Sequence, residues 1–356
     1  MGEDGYNWGS GSIDAQMIPS LYAEGLCGVV YRQEEDDEFC QLLDDTGGNP
    51  DGQAIATEHG FADDGKGRLS IPFIYGQRAY PNMWPGPAQQ VGDCVSHSAV
   101  NACAASYAVE CLAVGKPDPI TGKAEKLPGE EEGLTATGEK NGTFSSCTAY
   151  HHRGRDSHGW SIQAAARVML TKSGLVICKN YPNIAGGLDL TKYSGRNASR
   201  WGSTPPPEDV VKMTRQHLFR TATKLTTWEE WRAYLANGYG LGTDGGENFA
   251  RQLDDHGVTR RRGNAAHSMA CLGYDDRDET KKLYGSALVM IQNSWGNFYE
   301  GPKQIRDSPH SIPKGAFWAR TSELTRNGKP TRRAVAFCSA DGFGRRTLKD
   351  LDPQWS

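Results

Sequence analysis

The sequence has no long apolar run, no closely spaced cysteine pair and no basic, apolar start. Hydrophobic residues make up 37% of the 356 residues, and no stretch approaches the ~18 consecutive apolar residues of a membrane helix. The first thirty residues also lack the pattern of a cleaved secretory signal. We therefore expect no membrane segment and no export by the Sec route.

Cysteine spacing argues against a structural metal site. The nine cysteines are spread from Cys27 to Cys338 without a CxxC pair, which is atypical of a disulfide scaffold or a zinc ribbon. Free thiols in a reducing compartment are expected. A second group of potential metal ligands, made of Cys, His and Asp residues, also lacks metal-ligand spacing. We therefore expect no metal and no cofactor. The members of this second group are Cys147, His151, His152, Asp156 and His158.

Charge is unevenly distributed along the chain. The net charge of -4 gives no indication of nucleic-acid binding, but residues 1–80 carry fifteen acidic against four basic residues. Residues 320–349 hold eight Lys and Arg against two acidic residues. This basic segment is either a solvated end or a dock for an acidic surface, such as the arm of the same or another copy.

Composition divides the chain into three parts: an acidic, Gly-rich arm (1–80), a main domain (81–340) and a C-terminal tail (341–356). The arm shows no strong periodicity apart from a strand-like segment at 68–75. Helices are predicted to begin at Cys94, at Ser161 and at Thr227. Strand patterns dominate after Gly263, so the main domain is predicted to be α+β.

Three polar side chains stand in positions that suit thiol chemistry. Cys94 lies in the first turn of a buried helix, where the helix dipole favours a thiolate nucleophile. His267 begins a predicted strand, which would hold its imidazole rigidly. Asn293 follows another predicted strand, so its amide oxygen could accept the ring proton while Trp295 excludes water.

The order Cys, His, Asn in QQVGDCVSHS, NAAHSMACLGYDD and MIQNSWGNFY resembles the papain-like cysteine peptidases. The stretch from Cys147 to Pro182 resembles the substrate-cleft segment of that family, and KGAFWARTSEL resembles its closing strand. The resemblance covers residues 81–340. It implies an α+β, papain-like fold, with a helical half carrying the Cys helix packed on a β-barrel-like half carrying His and Asn.

The resemblance also implies roles for individual residues. Cys94 would be the nucleophile, His267 its ion-pair partner and general acid-base, and Asn293 the residue that orients His267. The backbone N–H of Cys94 and a Gln side chain would form the oxyanion hole; Gln89 is preferred over its neighbour Gln90, because the position six residues before Cys94 is Ala88. Gly159, with Trp160 nearby, would bind the backbone of an extended peptide or protein substrate.

Two departures from the family leave a second interpretation open. Val95 follows the nucleophile where the family has Trp, and the charge of Asp93 opposes ionisation of a neighbouring thiol. The alternative is a weakly active or inactive papain-like fold that serves as a structural subunit of a large assembly such as a virus particle. With either interpretation we expect the protein to be cytoplasmic or associated with an assembly such as a virion, and its acidic arm and basic segment could serve self-association or docking.

The arm could order in two ways, as a pro-segment over the cleft or as a clasp on another subunit. The pro-segments of the resembled family are helical. Because the arm lacks helical spacing, we expect that it is not an inhibitory pro-segment.

Overall fold

The computed structural model describes residue 29 and residues 33–45, 67–79, 86–112, 144–153, 159–184, 187–215 and 219–340. The helices are α1 (Gln33–Asp45), α2 (Phe73–Ala79), α3 (Cys94–Leu112), α4 (Ser146–Tyr150), α5 (Ile162–Thr171), α6 (Gly195–Ser203), α7 (Glu208–Thr214), α8 (Trp228–Ala236) and α9 (Asp278–Tyr284). The strands are β1 (Leu69–Ser70), β2 (Asn180–Tyr181), β3 (Leu188–Asp189), β4 (Phe219–Leu225), β5 (Leu241–Phe249), β6 (Arg261–Asp275), β7 (Leu288–Gln292), β8 (Lys303–Gln304), β9 (Ser311–Ile312), β10 (Ala316–Arg320), β11 (Thr325–Arg326), β12 (Lys329–Pro330) and β13 (Arg333–Ala340). Helices dominate before residue 215 and strands after it, which confirms the predicted α+β class.

The main sheet has seven antiparallel strands. Six follow the order β10–β7–β6–β5–β13–β4, and β1 pairs with β6 beside that path. His267 lies opposite Gly245 of β5, and Ala270 lies opposite Gln292, the last residue of β7. This register places Asn293, which follows Gln292, beside the part of β6 that carries His267.

Both faces of the sheet are covered by apolar packing. In β7, Leu288 and Met290 belong to one hydrophobic cluster, whereas Val289 and Ile291 belong to the other. Side chains alternate between the two faces of a strand, so β7 is buried on both sides. Helices α3 and α5 pack on the first face, and the side chains of α8 pack on the second.

Helix α3 crosses the sheet and carries Cys94 at its first position. The sequence predicts this helix because small and apolar residues continue without Gly or Pro. Two serines of α3 bind the backbone of β5 and of the residue before it. Ser98 Oγ accepts from Thr243 N at 3.2 Å, and Ser106 Oγ accepts from Gly240 N at 2.8 Å. A side chain at Gly240 would collide with the backbone of α3, so a glycine is required there.

The predicted starts of two further helices are confirmed. Ser161 caps α5, its Oγ accepting from Ala164 N at 3.2 Å. Thr227 caps α8 in a reciprocal pair with Glu230, a capping box. Helix α5 ends at Thr171.

The interpretation of the arm as lacking helical structure is wrong for residues 33–45. These residues form α1, which includes the acidic run and packs on α5. Phe39 is fully buried, Glu38 forms an ion pair with Arg167, and Lys224 Nζ lies 3.4 Å from Cys40 Sγ. The acidic helix therefore docks on basic side chains of its own chain.

The strand-like segment at 68–75 is partly wrong as well. Only Leu69 and Ser70 form a strand, which pairs with β6, and α2 follows from Phe73. Residues 69–79 thus pack with the main body, although the division of the chain into domains stays a prediction. Residues 341–356, the predicted tail, lie outside the described residues. None of the helices in the described part combines the length and apolar content needed to cross a membrane.

Candidate active site

Cys94 opens α3 and has no exposed surface. The backbone turn before it is tight, because Asp93 N donates to Val91 O at 2.8 Å and His97 N donates to Asp93 O at 3.2 Å. The thiol therefore lies at the positive end of a helix of nineteen residues, which favours a negative charge on sulfur. This is the local setting that the sequence predicts.

His267 and Asn293 form a buried hydrogen-bonded pair. His267 Nε2 lies 2.8 Å from Asn293 Oδ1, and each residue is 1% exposed. The Trp295 ring stacks on the imidazole with centroids 4.7 Å apart. Ser294 N donates to Asn293 Oδ1 at 2.7 Å, which holds the carboxamide with its oxygen toward the ring. His267 lies inside β6 rather than at its start, so that part of the sequence interpretation is wrong.

The segment before Cys94 is tied to the segment after Asn293. Ala88 forms an antiparallel bridge with Trp295, and Gln89 N donates to Ser294 O at 2.7 Å. These contacts link the approach to the thiol with the residues that orient the imidazole. Helix and strands are thereby brought to a common site.

The two candidate oxyanion glutamines differ in their surroundings. Gln89 is buried, its Oε1 accepts from Ser294 Oγ, and its Nε2 donates to Val91 O at 3.1 Å. The side chain of Gln90 turns to the start of α6, where its Oε1 accepts from Gly195 N at 3.0 Å. Of the two, Gln89 therefore lies beside the His267–Asn293 pair.

The backbone groups of Gly159 and Trp160 already have partners within the chain. Gly159 N donates to Tyr150 Oη at 3.1 Å, and Tyr150 Oη donates to Gly92 O at 2.8 Å. Trp160 forms a parallel bridge with Val29 of the arm. Gly159 is thus linked to the turn before Cys94, while the arm pairs with Trp160, where the resemblance implies an extended peptide.

Arg332 is a buried cation beside His267 that the sequence interpretation counted with the basic segment. It donates to His267 O at 2.7 Å and to Thr243 Oγ1 at 3.2 Å, and it pairs with Glu247 at 3.3 Å. A side chain at Gly245 would come within 2.7 Å of the Arg332 stem. Nothing in the local sequence pattern distinguishes Arg332 from a surface arginine.

The imidazole of His267 is held in its neutral form. Burial lowers its pKa to about 3; the hydrogen bond to Asn293 opposes this shift, while the charges of Arg332 and His97 add to it. At neutral pH the ring is therefore uncharged. The structure as it stands supports a neutral imidazole rather than a preformed imidazolium.

The group of potential metal ligands that begins with Cys147 lies only partly in the described residues. Asp156 and His158 fall outside them, whereas Cys147 is buried and burial raises its pKa far above the usual range. Among the described side chains, no group of three or more His, Cys, Asp or Glu is arranged to hold a metal ion.

No family model and no curated protein matches the chain. Among solved structures it is similar to xylellain, a cysteine protease from Xylella fastidiosa, at 14% identity, with 73% of this chain and 87% of that chain covered and a TM-score of 0.40. It is similar to procathepsin B S9 from Trypanosoma congolense at 9% identity, with 77% of this chain and 77% of that chain covered and a TM-score of 0.40. It is also similar to digestive procathepsin L 3 of the Tenebrio molitor larval midgut at 12% identity, with 90% of this chain and 98% of that chain covered and a TM-score of 0.35. These solved structures are papain-like cysteine proteases, the family whose motifs the sequence resembles.

Proposed function

We propose that this protein is a papain-like cysteine peptidase that cleaves peptide bonds with Cys94, His267 and Asn293. The observation that carries the proposal is the buried His267–Asn293 hydrogen bond of 2.8 Å under Trp295. The backbone pairing of Ala88 and Gln89 with the residues after Asn293 supports it, because it ties that pair to the turn that leads into Cys94.

In this mechanism His267 removes the proton of the Cys94 thiol, and the sulfur attacks the carbonyl carbon of the substrate. The negative charge on the carbonyl oxygen is stabilised by the N–H of Cys94 and by Gln89 Nε2, which must leave Val91 O to reach it. His267 then returns the proton to the leaving amine. Water attacks the thioester, His267 takes a proton from that water, and the acid product leaves with the thiol restored.

A second candidate is a weakly active or inactive fold that serves as a subunit of a large assembly. Two observations favour it: Cys94 has no exposed surface, and Trp160 is paired with the arm. This candidate requires that substrate never reaches the thiol, whereas a peptidase requires only that the arm can move.

A peptidyl electrophile that reacts with active-site thiols separates the two. We expect covalent labelling at Cys94, located by peptide mass mapping, and loss of casein hydrolysis in proportion to labelling. Cys94→Ala is the negative control, and Cys103→Ala, which changes a buried thiol further along α3, is the matched positive control. A wild-type protein that is neither labelled nor hydrolytic would favour the structural subunit.

A further inference from the structure

A buried acid-base pair lies directly behind the candidate nucleophile and takes no part in the mechanism above. Asp93, the residue before Cys94, has no exposed surface. Its Oδ2 lies 3.5 Å from His97 Nε2 and accepts from Tyr193 Oη at 2.9 Å. Its Oδ1 is buried without a hydrogen-bond partner in the described part of the chain. A carboxylate in such surroundings is costly unless a positive charge compensates it.

His97 is the side chain that can supply this charge. Within the described residues, the carboxylate of Asp93 contacts two side chains, His97 and Tyr193. Burial and then the charge of Asp93 raise the pKa of Tyr193, so its hydroxyl donates as a neutral group. His97 Nε2 lies 3.5 Å from Asp93 Oδ2 and 3.3 Å from Ser146 Oγ, so both oxygens surround the same ring nitrogen.

The other titratable groups around the pair come from three elements. Helix α4 contributes Cys147 and Tyr150, whose pKa values burial raises, so both stay neutral near pH 7. Arg153 lies over the Tyr150 ring, 4.3 Å from its centroid. From the loop before α6, Lys192 lines a cavity of about 50 Å³ that His97 also lines. That volume has room for a few water molecules, through which His97 can exchange its proton.

His267, from β6, is the last of these neighbours. A positive His97 lowers the pKa of His267, so the two imidazoles compete for a proton. If His97 holds it, Asp93 is compensated and His267 stays neutral. Compensation of Asp93 favours ionisation of the thiol, whereas the lowered pKa makes His267 a weaker acceptor of its proton. The favourable effect of His97 on Cys94 therefore acts through Asp93.

We propose that His97 is a positioning residue for the candidate nucleophile, its contact with Asp93 offsetting the negative charge beside Cys94 so that the thiol can ionise. The inference assumes the proposed peptidase chemistry, but it makes a claim about the thiol alone. Removing His97 leaves a buried negative charge beside Cys94, whereas removing both partners leaves none. The pair therefore matters through the charge that one partner leaves behind.

The test measures the alkylation rate of Cys94 by iodoacetamide, in which the thiolate displaces iodide, followed by mass mapping from pH 5 to 9. In His97→Gln we expect the rate at pH 7 to fall about tenfold, the size expected for an uncompensated neighbouring charge. In Asp93→Asn we expect a rate equal to or above wild type. In Asp93→Asn/His97→Gln we expect a return to within about threefold of wild type.

Restoration by the second substitution is the result that a merely structural role would not give. If His97→Gln alkylates as fast as wild type at every pH, or if the double variant is slower than either single variant, the inference is wrong. A wild-type Cys94 that does not react at all, while Cys94 of the urea-unfolded chain does, would instead count against the proposed function as well.

A second measurement covers the case in which His97→Gln does not fold, as judged by circular dichroism. Imidazole resonances of His97, assigned by their loss in His97→Gln/Asp93→Asn, are compared at pH 7 in wild type and in Asp93→Asn. We expect the ring resonances to move in Asp93→Asn, because the carboxylate that contacts Nε2 is removed. Identical resonances in the two proteins would show that the pair is not coupled and would overturn the inference.

Discussion

The strand side and the helix side of the candidate site are held by different kinds of contact. On the strand side, His267 is fixed by a neutral hydrogen bond to Asn293 and by stacking on Trp295. On the helix side, Cys94 follows Asp93, whose carboxylate lies 3.5 Å from His97 Nε2. The direct contacts of the imidazole are therefore neutral, whereas an ionisable pair adjoins the thiol.

The difference has a consequence for substitutions. Changes to Asn293 or Trp295 should act by displacing the imidazole, so a compensating charge should not repair them. Changes on the helix side should act by altering the ionisation of the thiol, and a second charge change should be able to repair them. Each prediction below tests one part of this contrast, beginning with the reacting groups.

Removal of a reacting group should have the largest effect. We expect Cys94→Ala to abolish hydrolysis and His267→Ala to reduce kcat by about a thousandfold or more. Asn293→Ala should cost less, about ten- to a hundredfold, because it only frees the orientation of the ring. The rates are measured on a fluorogenic peptide with the amount of folded protein held equal.

Full activity of Cys94→Ala would disprove the mechanism. Equal losses in Asn293→Ala and His267→Ala would show that orientation contributes as much as the base itself. The contrast between the two sides would then be too simple.

Substitutions in the Arg332–Glu247 pair test how much this ion pair, which contacts the backbone of His267, contributes to stability. Arg332→Met removes the donor to His267 O and leaves Glu247 buried without this partner. We expect a loss of about 3–5 kcal/mol in the free energy of unfolding, the usual cost of breaking a buried ion pair. Arg332→Met/Glu247→Gln should recover most of that loss. Urea unfolding followed by tryptophan fluorescence gives both values.

The same variants shift the acid limit of activity. The charge of Arg332 lowers the pKa of His267, so its removal raises that pKa, and the ring loses its ability to act as a base at a higher pH. The acid side of the pH-rate profile should move toward neutral pH in the double variant. A profile that does not move would indicate that Arg332 is a structural residue only.

How far the sequence predicts this site depends on the element. The α3 helix and its Cys94 terminus are evident from an uninterrupted run of small residues, and the Ser161 and Thr227 caps are evident from local chemistry. Strand β5 is different, because LGTDGGENF has the composition of a loop. It is a strand because Gly245 leaves space for Arg332 and Gly240, just before it, for α3. Such requirements come from tertiary packing, which a local pattern does not contain.

The charged groups were predicted least well. Asp93 could be identified as a neighbour of Cys94, but its contacts with His97 and Tyr193 join residues up to a hundred positions apart. Arg332 and Arg333 appeared to belong to a basic surface, whereas they pair with Glu247 and Asp244 within the fold. Docking of another copy or a host assembly on the basic segment stays a prediction, with these charges already paired in the chain.

Buried His267 should also make the stability of the protein depend on pH. Its folded pKa is about 3, against about 6.5 in an unfolded chain, so the unfolded state binds more protons between these values. The contribution is fully present above pH 6.5 and is lost as the pH falls toward 3. We expect the urea midpoint to fall between pH 7.5 and pH 4.5, and His267→Gln to show a shallower decline. His151, whose pKa burial lowers to about 4, contributes in the same direction and remains in that variant. Parallel curves for the two proteins would contradict the assignment.

Deletion of the arm should have the smallest effect on hydrolysis. It tests access of substrate to the site rather than the strand side or the helix side. The expectation that the arm is not inhibitory was based on its lack of helical spacing. The arm does contain a helix, α1, and Val29 is paired with Trp160, so this basis no longer holds. We expect deletion of residues 1–65 to leave a folded body, since β1 and α2 are kept, and to raise hydrolysis several-fold by freeing Trp160 for substrate. Deletion of residues 1–27 keeps both Val29 and α1 and is the matched control, for which no increase is expected. If both truncations hydrolyse peptides at the wild-type rate, the arm does not limit access, and a role in association, measured by light scattering of the same truncations, becomes the better explanation.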